Sequence, residues 1–261
     1  MKKIFFLGLF LFNTLIYSQY ASSSFITLNE GMENSYLEIE KLWSEYHKEA
    51  IKNGHKTSWA IWKIDQYGLE DKIEKDRYPN YVIIETYSNL KQLEEEFARY
   101  DEDGIKKITT LIKGKLKGKI SSSKIDKILS QTVEKERRIY IHEGIAATPF
   151  TGGSLKPGDK MTIAPMEQLK DDYESFETDF YQKIFADNVM KGNHRWWGFT
   201  RIIDRSDNAL TFNTHVAWNI GIEGKEIEIP DDFVSKKIIE ITPESRKMYN
   251  PINLELVYRE E

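Results

Sequence analysis

The chain has 261 residues, with 37 lysines and arginines against 42 aspartates and glutamates and a formal net charge of −5. That length fits one large domain or two small ones, and hydrophobic residues at 40% with aromatic residues at 13% exclude a disordered chain. The slight acidity excludes nucleic acid as the main partner, and the absence of cysteine excludes disulfides, thiol catalysis, thiolate metal sites and a lipoprotein anchor.

The first predicted element is a leader. Met1-Lys2-Lys3 is a short basic start, Ile4 to Ile16 is almost wholly apolar, and Tyr17-Ser18-Gln19-Tyr20 brings a small residue to the expected cut. This pattern predicts a signal peptide over residues 1–19, since an apolar run of roughly 13 residues falls short of the about 20 that a bilayer span needs. Cleavage removes Lys2 and Lys3 and takes the charge from −5 to −7. The expected product is exported, periplasmic or secreted, with no stable membrane insertion.

The rest of the chain reads as one unit written twice. Tyr36, Glu40 and Trp43 repeat as Tyr173, Glu177 and Phe180, and each set runs to a glycine, Gly54 or Gly192, followed by a tryptophan-bearing stretch. Tyr36, Ile39, Trp43, Tyr46 and Ala50 fall on one face of a helix, as do Tyr173, Phe176, Phe180 and Ile184. Asn34-Ser35 and Asp171-Asp172 are expected to cap the helix starts, and the glycines to close the ends in left-handed conformation. Thr57 to Ile64 and Arg195 to Ile202 alternate as strands: Trp59, Ile61 and Lys63 share one face, matched by Trp197, Phe199 and Arg201, while Ala60 and Gly198 are small on the other. Tyr81 to Tyr87 and Phe212 to Trp218 read as the next strands. A helix from Leu90 to about Leu116, a solvated basic loop over Lys113 to Lys127 and a short helix near Asp231 to Ile239 come next. Closing strands are expected at Arg137 to Ala146 and at Arg246 to Tyr258, and opening strands at Ser24 to Leu28 and Lys160 to Ala164.

Each half therefore reads strand–helix–strand–strand–helix–strand. The expected fold class is α+β: tandem ferredoxin-like βαββαβ repeats forming an intrachain dimeric α/β barrel. The first repeat spans 20–148, a Gly/Pro-rich linker 149–159 and the second repeat 160–261. The doubled unit resembles the dimeric α/β-barrel superfamily, and its Tyr-x3-Glu-x2-aromatic, glycine and tryptophan pattern is similar to uncharacterised exported bacterial proteins with two fused copies of the unit. The superfamily holds cofactor-independent monooxygenases, haem-degrading oxygenases, chlorite-dismutase-like haem proteins and plain binding proteins, so the resemblance implies a fold without one activity. It also implies a ligand held between helix and sheet, and leaves haem open as a cofactor.

Five histidines carry what chemistry the residues offer, and none has the spacing of a zinc site, so no metal is expected. His55 and His194 follow the helix-ending glycines and read as turn residues. His47 lies one turn after Trp43 and faces either a pocket or a neighbouring carboxylate such as Glu40 or Glu85. His215 shares a face with Asn213 and Ala217, where the first copy has Val82, Ile84 and Thr86; a polar face in an apolar position needs partners or solvent. Arg138, Tyr140 and His142 share a strand face that suits an anion or guards a sheet edge. Of the six tryptophans, Trp43, Trp59, Trp62, Trp196, Trp197 and Trp218, most are expected in the core, and a subset would line a cavity for a flat ligand. His47 and His215 are the catalytic candidates; the ligand-binding set is Trp43, His47, Trp59, Trp62, Arg138, His142, Trp197, Asn213, His215 and Trp218.

Three functions stay open on the residues. The preferred one is a binding protein for a small apolar or aromatic molecule. The others are a cofactor-free or haem-linked oxygenase and a cell-envelope scaffold or homo-oligomeric interaction protein. No nucleophile motif decides whether the chain is an enzyme.

Overall fold

A computed structural model describes residues 20–261, and the expected leader, residues 1–19, lies outside the described residues. Among the described residues there are nine strands: β1 (Tyr20–Leu28), β2 (Ser58–Tyr67), β3 (Tyr81–Tyr87), β4 (Glu134–Ala147), β5 (Lys160–Gln168), β6 (His194–Arg205), β7 (His215–Gly221), β8 (Arg246–Met248) and β9 (Ile252–Glu260). Every pairing is antiparallel. The order β1-β3-β2-β9-β5-β7-β6-β4 returns to β1, so eight strands close into a barrel, and β8 pairs with the end of β5 that β9 leaves free.

This corrects the expected architecture. The chain is not a tandem of ferredoxin-like repeats forming an α/β barrel but one closed eight-stranded antiparallel barrel with helices outside. The finding that overturns the expectation is the continuity of the main-chain ladder: β2 runs against β9 from Trp59↔Glu260 to Tyr67↔Ile252, and β4 against β6 from Tyr140↔Arg205 to Ala147↔Gly198. Open sheet edges carry unpaired main-chain groups, and here the edges of the two halves satisfy one another. The halves also diverge outside the barrel. Between its third and fourth barrel strands the first carries α2 (Leu90–Phe97), α3 (Glu102–Lys115) and α4 (Ser122–Leu129), and the second carries there only α7 (Phe233–Ile241), whose Phe233 is 73% exposed.

The expected helix over Leu90 to Leu116 is two helices. Asp101 turns extended and its carboxylate accepts from the Gly104 N–H at 2.7 Å, which caps a fresh start. The expected basic loop over Lys113 to Lys127 holds the end of α3 and most of α4, because Ile125 and Ile128 bury against α1. Helix α1 (Glu33–Lys52) begins one residue before Asn34, so neither Asn34 nor Ser35 caps it. Glu33 occupies its first turn instead, accepting hydrogen bonds from the Tyr81 hydroxyl (2.7 Å) and Lys63 (3.0 Å). Those bonds hold its carboxyl below the usual range, and a carboxylate there also suits the helix dipole. Asp172 likewise caps nothing and accepts from the Ser245 hydroxyl at 2.7 Å.

The second long helix contains a wide turn. Tyr173–Ser175 (α5) runs through a π-helical segment, Phe176–Tyr181, into α6 (Gln182–Lys191), which closes at Gly192 with φ +74°. Tyr36 stands 18 residues before Gly54, and Tyr173 stands 19 before Gly192. A π turn absorbs that one extra residue.

Strand alternation separates two faces. Trp59 and Ile61 of β2 with Tyr81 and Ile83 of β3 turn outward onto α1. Trp197 and Phe199 of β6 pack with Tyr173. Trp62, Val82, Tyr140, Ile163, Val216, Trp218 and Leu254 fill the lumen. Two expectations slip here. His215 does not correspond to the lumen positions Val82 and Ile84; Val216 and Trp218 do, because a one-residue offset moves a strand residue to the opposite face. Nor is β4 an edge, since it pairs with β1 on one side and β6 on the other.

Candidate functional site

Eight strands enclose a lumen that side chains just fill, or that holds one small ligand. In this barrel the filling is incomplete. Ala21, Ala60, Gly144, Ala147 and Gly198 all face a cavity of about 300 Å³. Gly198 makes room for an aromatic neighbour: a Cβ on it would stand 2.5 Å from the Trp196 ring. Trp62, Trp196 and Trp218 wall the cavity with Ile84, Met161 and Ile220, and Phe150 and Leu155 reach into it from the segment after β4. Its polar groups are few: the hydroxyls of Ser58, Thr86, Thr148 and Thr200, and Arg259 near the end of β9. An apolar box with a few convergent polar groups is the usual build of a small-molecule site.

A hydrogen-bonded partition forms one boundary of this cavity. The Trp218 indole donates to Thr200 Oγ1 at 2.9 Å, Thr200 Oγ1 meets His142 Nδ1 at 3.2 Å, and His142 Nε2 meets Ser23 Oγ at 2.8 Å. Thr200 and Trp218 line the large cavity, and Trp218, His142 and Ser23 also line a second one of about 20 Å³. Burial, helped by the Arg205 guanidinium, pushes the His142 imidazole down to about 3, because a dry site disfavours the charged form. His142 is therefore neutral at ordinary pH and too weak a base to take a substrate proton efficiently. Its role is to orient the two hydroxyls.

Two further polar clusters lie outside the barrel wall. Between α1, α2 and the sheet, Lys56 is fully buried and pairs with Glu85 and with Glu96 (2.8 Å). His47 Nδ1 at 3.2 Å and the Tyr100 hydroxyl at 3.1 Å complete its shell. Tyr46 donates to Glu96 at 2.7 Å, and the His47 ring stacks on Trp59 at 4.4 Å. Burial, with Lys56 adding, holds the His47 imidazole well below its ordinary value. Against the second helix, His215 stacks on Phe199 at 5.2 Å, with Thr214 Oγ1 at 2.9 Å from Nδ1 and Glu174 at 3.0 Å from Nε2. Glu174 is gripped in turn by two bonds from Arg201, each 2.8 Å. Burial lowers the His215 imidazole although Glu174 pulls the other way. Both cavities lie inside the barrel, and of these two clusters only Phe199 reaches the lining of either.

The residues singled out in the sequence thus fall into three places. Trp62 and Trp218 wall the large cavity; Arg138, His142, Asn213 and Trp218 line the small one. Trp43, His47 and Trp59 belong to the first helix–sheet layer, and Trp197 and His215 to the second. Trp196, Phe150, Thr200 and Arg259 were missed as site residues. Trp196 had a signal in the small Gly198 two positions on; Phe150 sits in a turn-rich stretch that carries no periodicity.

No histidine lines the large cavity, so none offers haem iron an axial nitrogen there. Iron needs an axial side chain with a free atom aimed into open space, and both ring nitrogens of His142 and of His215 are already bonded. His47 is enclosed by Lys56, Trp59 and Tyr46. His55 and His194 each keep a buried nitrogen without a partner, yet neither lines a cavity. Among the described residues no group of three or more histidines or carboxylates could hold a metal ion, and no helix is long and apolar enough to cross a membrane.

No protein-family model matches the sequence, and no curated protein is significantly similar to it. Solved structures do share its fold. A candidate monooxygenase from Lactobacillus acidophilus NCFM superposes with a TM-score of 0.52 at 12% identity over 91% of this chain and 95% of that one. A candidate monooxygenase from Fusobacterium nucleatum gives 0.52 at 9% over 93% and 94%. A haem-binding protein from Thermus thermophilus gives 0.39 at 9% over 92% and 91%. A candidate chlorite dismutase gives 0.40 at 12% over 92% and 94%. At these identities the likeness concerns the fold.

Proposed function

We propose that the chain binds one small, flat, apolar or aromatic molecule inside the barrel. The observation that carries this reading is the cavity of about 300 Å³ walled by Trp62, Trp196 and Trp218, a volume at the lower end of small-molecule sites. Indole faces favour stacked aromatic rings, and Arg259, which pairs with Glu261, would favour a ligand whose carboxylate or phenolate takes that partner's place. Thermal unfolding with 2-naphthol and 1-naphthoic acid tests it. A ligand that binds only the folded state at 100 times its dissociation constant adds about 2.7 kcal/mol. The expected result is a raised midpoint for the wild type and none for Ala60→Phe, which puts a ring into the cavity. Stabilisation equal in both proteins, or absent in the wild type across aromatic acids, phenols and quinones, would overturn the reading.

A second reading, oxygenation of the bound aromatic without a cofactor, draws support from the fold shared with two candidate monooxygenases. Dioxygen uptake with bound 2-naphthol is its test. We also propose export, on residues 1–19 alone; expression in a Gram-negative host should give a mature chain starting at Gln19 or Tyr20.

A further inference from the structure

The smaller cavity, of about 20 Å³, lies across the His142–Trp218 partition from the larger one. That is room for one water-sized species, since a water needs about 10–15 Å³ on this measure. Its lining is unlike that of a dry void. Arg138 is 1% exposed and lines the cavity, and its Nε–H has no hydrogen-bond partner. Asn213, 7% exposed, also lines it with an unpartnered Oδ1. Side-chain amides can be turned end for end without changing their shape, so Asn213 can present either its oxygen or its N–H groups.

The charge around this cavity does not balance. Arg138 donates from Nη2 to the Arg77 carbonyl at 2.9 Å. No carboxylate lies within 4 Å of its guanidinium among the described residues. Arg205, whose guanidinium bonds the carbonyls of Leu210 (2.6 Å) and Asn213 (3.0 Å), has no carboxylate partner either. Glu136, the acid on the same face of β4, is committed to the Arg77 guanidinium through bonds of 2.5 and 3.0 Å. Tyr67 lines the cavity too and is hydrogen-bonded to the Arg138 side chain, and burial pushes its hydroxyl up to about 12 against the pull of Arg138. It is therefore a neutral donor at ordinary pH.

Glu136 acts on Arg138 electrostatically, yet its carboxylate is bonded to Arg77, so the buried Arg138 guanidinium shares its one counter-charge, and an incompletely compensated buried charge is costly. A water molecule repairs the guanidinium's missing hydrogen bond but not its shortfall of counter-charge. A monovalent anion repairs both. We propose that this cavity is a binding site for one small inorganic anion of halide size, held by the Arg138 Nε–H and by the Asn213 amide turned with its N–H groups inward. Ser23 and Tyr67 are the neighbouring hydroxyls. The site stands independently of what occupies the larger cavity.

Crystals of the full chain grown in sodium bromide, with data collected at the bromine edge, test this directly. The expected result is an anomalous peak within hydrogen-bond distance of Arg138 Nε. In solution, gluconate is exchanged for chloride at constant ionic strength and unfolding is followed in urea. At ten times the dissociation constant the folding equilibrium of the wild type rises about 10-fold, and that of Arg138→Gln stays unchanged. Asn213→Ala, which keeps the charge, should respond to chloride at higher concentration. A cavity with ordinary water density and no anomalous peak, or an Arg138→Gln protein that responds to chloride as the wild type does, overturns the proposal.

Discussion

Replacing Lys56 with Met removes the one cation that contacts both Glu85 and Glu96. The Glu96 side chain is wholly buried and Glu85 nearly so. Glu96 keeps a weaker contact with Arg99, 3.5 Å away on a side chain that is 42% exposed. Glu85 keeps His47 at 3.7 Å, whose charged form burial disfavours even without Lys56. Removing one partner of a buried ion pair costs about 3–5 kcal/mol, because the remaining charge stays desolvated. A domain of this length shifts by about 2–4 °C per kcal/mol, so a fall on the order of 10 °C is expected. Urea unfolding followed by tryptophan fluorescence measures it. The triple variant Lys56→Met, Glu85→Gln, Glu96→Gln should regain most of the loss, since swapping a whole buried ion cluster for uncharged groups of similar shape is often close to neutral. Lys56→Met within about 1 kcal/mol of wild type, or a triple variant no better than the single one, would refute the reasoning that these groups are coupled in a dry layer.

Three other outcomes are expected. Burial raises the Glu40 carboxyl from 4.5 to about 7; its contribution is complete below about pH 4.5 and is lost as pH rises through about 7, worth about 3 kcal/mol, so Glu40→Gln should flatten wild-type stability between pH 4.5 and pH 8. The His142 imidazole, pushed down to about 3, contributes stability that is present above about pH 6.5 and lost as pH falls, so its ring nitrogen resonances should stay constant from pH 8 to pH 5 in 15N NMR. Gly198→Ala drives a methyl against the Trp196 ring, 2.5 Å away; overpacking of this kind costs about 1–3 kcal/mol, and calorimetry should show weaker 1-naphthoate binding as the ring is displaced.

Local order was legible in the sequence and global closure was not. The stripe Tyr36, Ile39, Tyr46 and Ala50 does bury against the sheet, and the outward pairing of Trp59 with Ile61 and of Trp197 with Phe199 follows from alternation alone. Ladder contacts such as Ile61↔Tyr258 and Glu143↔Arg201 join residues far apart in the chain, and no periodicity announces them. An alternation run from Phe212 puts His215 in register with Ile84, whereas the strand begins at His215 and turns Val216 and Trp218 to the lumen. The helix-side histidines drew notice by their chemistry, yet each is satisfied there by Lys56 or Glu174. Small residues mark the lumen better: Ala60 and Gly198 sit where larger side chains would close the space.

The six tryptophans offer the most direct test of where a ligand goes. Trp62, Trp196 and Trp218 face the barrel cavity, and Trp43, Trp59 and Trp197 pack under the outer helices. With 5-fluorotryptophan incorporated and each 19F signal assigned by Trp→Phe substitution, titration with 1-naphthoate should move the first three resonances and leave the second three in place. Movement confined to Trp43, Trp59 and Trp197 would put the ligand between helix and sheet and contradict the account.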